Sequence, residues 1–168
     1  LARPYNFIET GDRFYFSTDS QIIYYAVFTK GEGLYDEPHP LNELTYYFSF
    51  APIGRVDDRL GTDYRIRATI ISIIEHYLKN NPEKVVFYVC SNQKYADYSR
   101  FRLFTRWKKY GATNRFEHIS KEITVTTVGV KTDAMFVGMI LNRDSPYFDE
   151  LIPAFHDRID FLSLKWSV

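Results

Sequence analysis

The hydrophobic period of this chain changes twice between residues 44 and 90, and that change restricts the available folds more than any other feature. Leu44-Thr45-Tyr46-Tyr47-Phe48-Ser49-Phe50 is a run of strand formers. Ile66, Ile70, Ile73, Ile74, Tyr77 and Leu78 then recur at helical spacing on one face. Val85-Val86-Phe87-Tyr88-Val89-Cys90 follows as an unbroken apolar run of strand length, the pattern of an interior strand covered on both faces. Thr62 or Asp63 caps the helix start, and Asn80-Asn81-Pro82 supplies its stop. Strand, helix and strand in this order predict a parallel pair joined by a right-handed crossover.

The flanking segments extend this unit. Phe14-Tyr15-Phe16-Ser17-Thr18 and Ile22-Ile23-Tyr24-Tyr25-Ala26-Val27-Phe28 read as strands, with Asp19-Ser20-Gln21 as the turn between them. Gly31, Gly33, Pro38 and Pro40 keep the next connection irregular. The three strands predict an antiparallel meander. Beyond Cys90, a basic, aromatic-rich helix is expected over residues 95–110, with Gly111 ending it. Strands follow near residues 117–128 and 134–141, joined by a hairpin loop over 129–133. Pro146 opens a short helix that includes Leu151, Ile152 and Phe155. Residues 159–166 alternate apolar and polar, which predicts a last strand. The expectation is a single domain over residues 1–168. Its class is α+β (a mixed α/β sheet), mostly antiparallel, with two packed helices in the order β-β-β-α-β-α-β-β.

Composition narrows the functional classes. Tyr and Phe number 14 each, and large rings let a chain of 168 residues build a substantial core. The formal net charge is zero, so binding to DNA or membrane through overall charge is not favoured. Cys90 is the sole cysteine, which excludes an intrachain disulfide, and no Cys/His spacing resembles a metal site. No apolar run approaches bilayer length, and no signal peptide is visible. These features predict a cytoplasmic protein with neither metal nor membrane attachment.

The candidate ligand site lies where strands feed helices. Gly54-Arg55-Val56-Asp57-Asp58-Arg59-Leu60-Gly61 joins a strand to a helix N-terminus, where unpaired N–H groups and the helix dipole attract anions. Arg55 and Arg59 add charge-assisted donors, whereas Asp57 and Asp58 repel an anion or neutralise those arginines. Arg67 falls within the Ile66/Ile70/Ile74 face, and Arg100 shares a stripe with Leu103, Phe104 and Trp107. In a crossover both helices begin at the same sheet end. Two readings therefore stand. In one, Arg67 and Arg100 converge on a phosphate or carboxylate ligand. In the other, internal acids such as Asp57, Asp63 or Asp97 hold them, or they snorkel to water. Arg102, Arg106 and Lys109 form a basic stripe that suits either a nucleic-acid backbone or plain solvent. Nucleic acid is the less favoured partner.

Other reactive side chains offer less. His39, His76, His118 and His156 form no metal motif or catalytic dyad, and His76 projects to the polar side of its helix. Cys90 reads as a buried strand cysteine rather than a nucleophile. Asp144-Ser145-Pro146 reads as helix-start chemistry. The sequence designates no catalytic residue and no oligomeric state.

The element order resembles the core of the GNAT-type N-acetyltransferases over roughly residues 14–142. In that family a Q/R-x-x-G-x-G/A loop ahead of the central helix holds the coenzyme A pyrophosphate. Arg59-Leu60-Gly61-Thr62-Asp63-Tyr64 echoes it, with different spacing and without the second glycine. Asn92 stands where the family often has an asparagine after the next strand. Phe104 stands where a tyrosine often protonates the leaving thiolate, and a ring without a hydroxyl cannot donate that proton. The resemblance implies a small phosphate-bearing ligand such as acetyl-coenzyme A (acetyl-CoA). Arg55, Arg59, Gly61, Thr62, Asp63, Arg67, Asn92 and Arg100 would contact it. An active enzyme would be an N-acyltransferase. The alternatives are a non-enzymatic protein- or nucleic-acid-interaction module and a degenerate structural subunit. Asp63-Tyr64-Arg65-Ile66-Arg67-Ala68-Thr69-Ile70 and Arg100-Phe101-Arg102-Leu103-Phe104-Thr105-Arg106-Trp107 also resemble an uncharacterised bacterial domain family, which implies no activity.

Overall fold

The computed structural model describes residues 2–32, 34–36, 39–54, 63–91, 115–125 and 133–166. Seven strands form one sheet: β1 (Phe7–Thr10), β2 (Arg13–Ser17), β3 (Ile23–Lys30), β4 (Thr45–Pro52), β5 (Val85–Ser91), β6 (Phe116–Val125) and β7 (Asp133–Asn142). Their spatial order is β1-β2-β3-β4-β5-β7-β6. Every neighbouring pair is antiparallel except β4 with β5, which is parallel. Helix α1 (Tyr64–Asn80) links that parallel pair, as the change of hydrophobic period requires. A second helix, α2 (Phe148–Trp166), follows β7. The fold is therefore the mixed, mostly antiparallel α+β arrangement expected, with two helices among the described residues. The helix expected over 95–110 lies outside them.

The interior strand is what its composition demands. Val86, Tyr88 and Cys90 point into a core shared with Ile70, Ile73, Ile74, Tyr77 and Leu78 of α1. Val85 and Phe87 point the other way, into a core shared with Leu151, Phe155 and Ile159 of α2. Alternation along one strand thus feeds two hydrophobic layers, one under each helix. Rings dominate the α1 side. Phe28 stacks on Tyr77 with centroids 3.7 Å apart, and Phe14 meets Phe28 edge-on at 5.7 Å.

Two elements differ from expectation. The edge strand β1 was not anticipated. It turns into β2 through Gly11 and Asp12, and Gly11 adopts φ +62°, suited to glycine at the first central position of a two-residue hairpin. The second difference concerns residues 159–166, which continue α2 instead of forming a strand. Buried positions Leu151, Phe155 and Ile159 are spaced by four residues, with partly buried Leu162 three further on. That spacing keeps one helical stripe on the sheet, and this packing overrides the local alternation.

Candidate functional site

β4 and β5 are paired over only part of their length. Thr45, Tyr46 and Tyr47 lie opposite Val85, Val86 and Phe87, yet β4 runs on to Pro52 and β5 to Ser91. The strands are parallel, so both unpaired portions lie toward their C-terminal ends. β4 leads from that end to the N-terminus of α1, and β5 leads from it to residue 92. Ligands of open α/β sheets commonly sit beyond the C-terminal ends of parallel strands, near helix N-termini. Gly54 closes β4 with φ +91°, a conformation costly for a residue bearing Cβ.

Two of the sequence-designated residues stand at the start of α1. Asp63 is the N-cap: Oδ1 accepts from the backbone N–H of Arg65 at 2.8 Å. Its Oδ2 accepts from the hydroxyl of Tyr5 at 2.7 Å. Tyr5 in turn is tied down on three sides. Its hydroxyl accepts from the backbone N–H of Asp19 at 3.3 Å, and its backbone N–H donates to Thr69 Oγ1 at 2.8 Å. The Arg65 guanidinium lies 3.8 Å over the Tyr5 ring and donates to Asp19 Oδ2 at 2.7 Å. The N-terminal segment is thereby fastened across the first turn of α1.

Arg67 behaves differently from Arg65. Its guanidinium lies 5.5 Å from the centroid of the Tyr64 ring, and among the described residues no carboxylate pairs with it. Tyr64 is itself 63% exposed, which leaves an aromatic surface and a cation together at the mouth of α1. Arg55, Arg59, Gly61, Thr62, Asn92 and Arg100 lie outside the described residues, as do Phe104 and the basic stripe Arg102, Arg106 and Lys109.

The remaining chemistry-bearing residues take part in packing, pairing and capping. Cys90 is a buried cysteine in the α1-side core. His76 is partly exposed on α1, its ring edge-on to Phe7 and Phe14, and it pairs with Glu9 at 2.8 Å. His39 Nδ1 accepts from the backbone N–H of Leu41 at the start of the 3-10 turn Pro40–Glu43. Ser145 caps the approach to α2: its hydroxyl accepts from the backbone N–H of Tyr147 and its carbonyl from that of Phe148. His118, like the other histidines, is given no role by the sequence. It is buried on β6, with Nε2 2.6 Å from the hydroxyl of Tyr88. Burial raises the Tyr88 phenol far above the ordinary tyrosine range, and the nearby Cys90 adds to the shift, so the hydroxyl keeps its proton.

Among the described residues, no cluster of three His, Cys, Asp or Glu side chains suits a metal ion. No helix among them is long and apolar enough to cross a membrane. No curated protein and no solved structure matches the chain. Residues 62–157, from just ahead of α1 into α2, match the family described as "Family of unknown function (DUF6169)"; this is more than half of the chain, and the protein belongs to that family.

Proposed function

We propose that the protein is a GNAT-like domain that binds an acyl-coenzyme A or a similar phosphate-bearing ligand at the open end of the β4/β5 pair. The observation that carries this reading is the end of the parallel ladder at Tyr47 and Phe87, where the two strands continue without pairing to each other. An inserted ligand would reach backbone polar groups there while its phosphates approach the N-terminus of α1. Arg67, which no carboxylate pairs among the described residues, supports the electrostatics of that reading, and the exposed ring of Tyr64 supports contact with a flat heterocycle. In this proposal the arginines Arg55 and Arg59 and the backbone of residues 55–63, which include Gly61, Thr62 and Asp63, hold phosphate, and Asn92 and Arg100 line the pocket. Acyl transfer to an amine would proceed by direct attack of the neutral amine on the thioester carbonyl: the C–N bond forms, the C–S bond breaks, coenzyme A leaves as the thiolate, and the amine's proton passes to a carboxylate or water and on to the thiolate, with the protein supplying orientation and polarisation.

Isothermal calorimetry with acetyl-CoA tests the reading. Saturable heat at micromolar to millimolar ligand, together with a rise in melting temperature, is the expected result. Neither heat nor thermal shift at millimolar ligand rejects that cofactor. Binding without turnover of any amine would favour the degenerate, non-catalytic version, in keeping with Phe104 at the position where a proton-donating tyrosine is expected.

A second reading rests on a separate observation. On the sheet face turned away from α1, Ile8, Tyr15, Tyr25 and Ala51 stand in one cross-strand row, and Ile8, Ile23 and Ile53 are exposed. Exposed apolar residues grouped on one face favour an interaction module. Analytical ultracentrifugation checks it for self-association: a single monomeric species at high concentration removes that version.

A further inference from the structure

The two edges of the sheet are built differently. β6 is one edge, and it carries charge: Lys121 pairs with Asp160 of α2, and Glu117 pairs with Arg143. Charged side chains are one way in which natural edge strands avoid pairing with another chain. β1, Phe7-Ile8-Glu9-Thr10, is the other edge and holds neither lysine nor proline. Its one charge, Glu9, is already engaged by His76 at 2.8 Å. Among the described residues β2 is the sole strand paired with β1.

The hairpin register fixes which backbone groups β1 leaves over. Thr10 and Arg13 flank the two-residue turn, which makes them a hydrogen-bonded pair. The N–H of Phe28 donates to the carbonyl of Asp12 at 3.0 Å, so Asp12 and Phe14 address β3, and Arg13 and Tyr15 address β1. Alternation then turns the N–H and C=O of Ile8 and Thr10 toward β2, and those of Phe7 and Glu9 outward. Two outward residues spaced by two are complementary to their own copy. In an antiparallel pairing about a two-fold axis at Ile8, Phe7 of each copy lies opposite Glu9 of the other and exchanges both backbone bonds with it. An axis at Glu9 would set like charges directly opposite each other, and an axis at Phe7 would carry Glu9 past the end of the partner strand.

The side chains favour the same axis. Ile8 is 71% exposed and ends the cross-strand row Ala51, Tyr25, Tyr15, Ile8. At the axis the two Ile8 residues form a non-hydrogen-bonded pair, the kind whose side chains lie closer, and the row runs on into the second copy. Phe7 and Glu9 lie on the α1 face, where both meet the His76 ring.

We propose that β1 is a dimerisation strand: a second copy of this chain adds to it antiparallel about a two-fold axis at Ile8, making one continuous sheet. The proposal rests on the interaction-module reading and names its partner and its contact. The paired segment is short, so association belongs in the micromolar to millimolar range.

Sedimentation equilibrium of the full chain, from about 1 μM to about 1 mM, tests it. The parent should show a concentration-dependent dimer. E9P removes an outward N–H that the hairpin does not use, so it should fold, as far-UV circular dichroism checks, and weaken the dimer at least about tenfold. E9A also loses the contact with His76 but keeps that N–H, and should dimerise like the parent. I8K sets two like charges against each other at the axis and should also abolish the dimer. I23K alters the open sheet face away from the axis and should leave the dimer intact. A dimer that survives both E9P and I8K, or that I23K abolishes, overturns the edge pairing and leaves self-association through the open face. A parent that stays monomeric throughout overturns self-association altogether and leaves the edge to a strand of another protein.

Discussion

The hydroxyl of Tyr88 on β5 reaches to 2.6 Å from Nε2 of His118 on β6 because the residue between them, Gly138 on β7, has no side chain. Tyr88 lies directly opposite Gly138 in the ladder, and a Cβ built on Gly138 would fall 2.1 Å from Cζ of the Tyr88 ring. The ring is fully enclosed, so it cannot swing away without opening the α1-side core. G138A should therefore destabilise the protein by about 3 kcal/mol, the upper end for overpacking a tight interior. Urea denaturation measures it. In a Y88A background the same substitution should cost much less, a coupling that two independent sites would not show. Y88F, which keeps the ring and loses the hydrogen bond, should cost about 1 kcal/mol.

That relationship also marks where sequence reading stops. Strand β5 was legible because six apolar residues in a row admit few other fates, and α1 because its isoleucines repeat at 3.6-residue spacing. The pairing of Tyr88 with His118 was not legible. It depends on a third strand inserted between theirs, and nothing local to either residue announces that. β1 was missed although Gly11-Asp12 between Phe7–Thr10 and Arg13–Ser17 carries a two-residue hairpin signal. Only four residues precede that turn within the strand, too few for a period to declare itself. At the candidate site, Asp63 was one of two cap candidates, with Thr62, that its position offered, and it is the N-cap. The same reading also made it a phosphate contact, and no sequence rule separates those roles. Tyr5, which commits Asp63 Oδ2, acts across 58 residues, and the Arg65 guanidinium reaches Asp19 across 46; neither contact left a local signal.

The tail of the chain separates two periods that its last residues satisfy almost equally well. A strand over 159–166 would place Ile159 and Phe161 on the same buried face. In α2 they diverge: Ile159 is fully buried and Phe161 is 50% exposed. I159A should cost about 2–4 kcal/mol in thermal or chemical denaturation. F161A should cost well under 1 kcal/mol, since it removes an exposed ring. Comparable losses for the two would contradict the helix.

Glu75 on α1 gives a pH signature. Its Oε1 is enclosed without a hydrogen-bond partner among the described residues, and desolvation raises its pKa above the ordinary glutamate value. The folded state therefore binds the proton more tightly than the unfolded state. Its contribution to stability is most favourable below the unfolded-state pKa and is lost as pH rises through the higher folded-state pKa. E75Q removes the ionisation. The variant should be more stable than the parent at pH 7, and the advantage should vanish at a pH acid enough to protonate glutamate in both states. Denaturation curves at the two pH values check this; an E75Q that is less stable at pH 7 contradicts the sign.

The start of α1 carries two charges whose removal should act in opposite directions on ligand binding. The Asp63 carboxylate caps the helix through Arg65 N–H and accepts from Tyr5, so D63A should lose about 1–2 kcal/mol of stability. Asparagine keeps an oxygen for the cap, and D63N should lose less. A carboxylate at that position also repels a phosphate brought to the same helix end. D63N should therefore bind acetyl-CoA more tightly than the parent, most visibly at low salt, where screening is weak. Arg67 stands one turn further in, with only the Tyr64 ring as its described partner, so R67E should leave stability within about 0.5 kcal/mol of the parent. If the ligand's phosphates gather at this helix mouth, R67E should weaken acetyl-CoA binding by at least about tenfold, the loss of one charge-assisted contact. Calorimetry on the two variants at two salt concentrations separates the effects. Unchanged affinity in both would place any phosphate group elsewhere and remove α1 from the binding site.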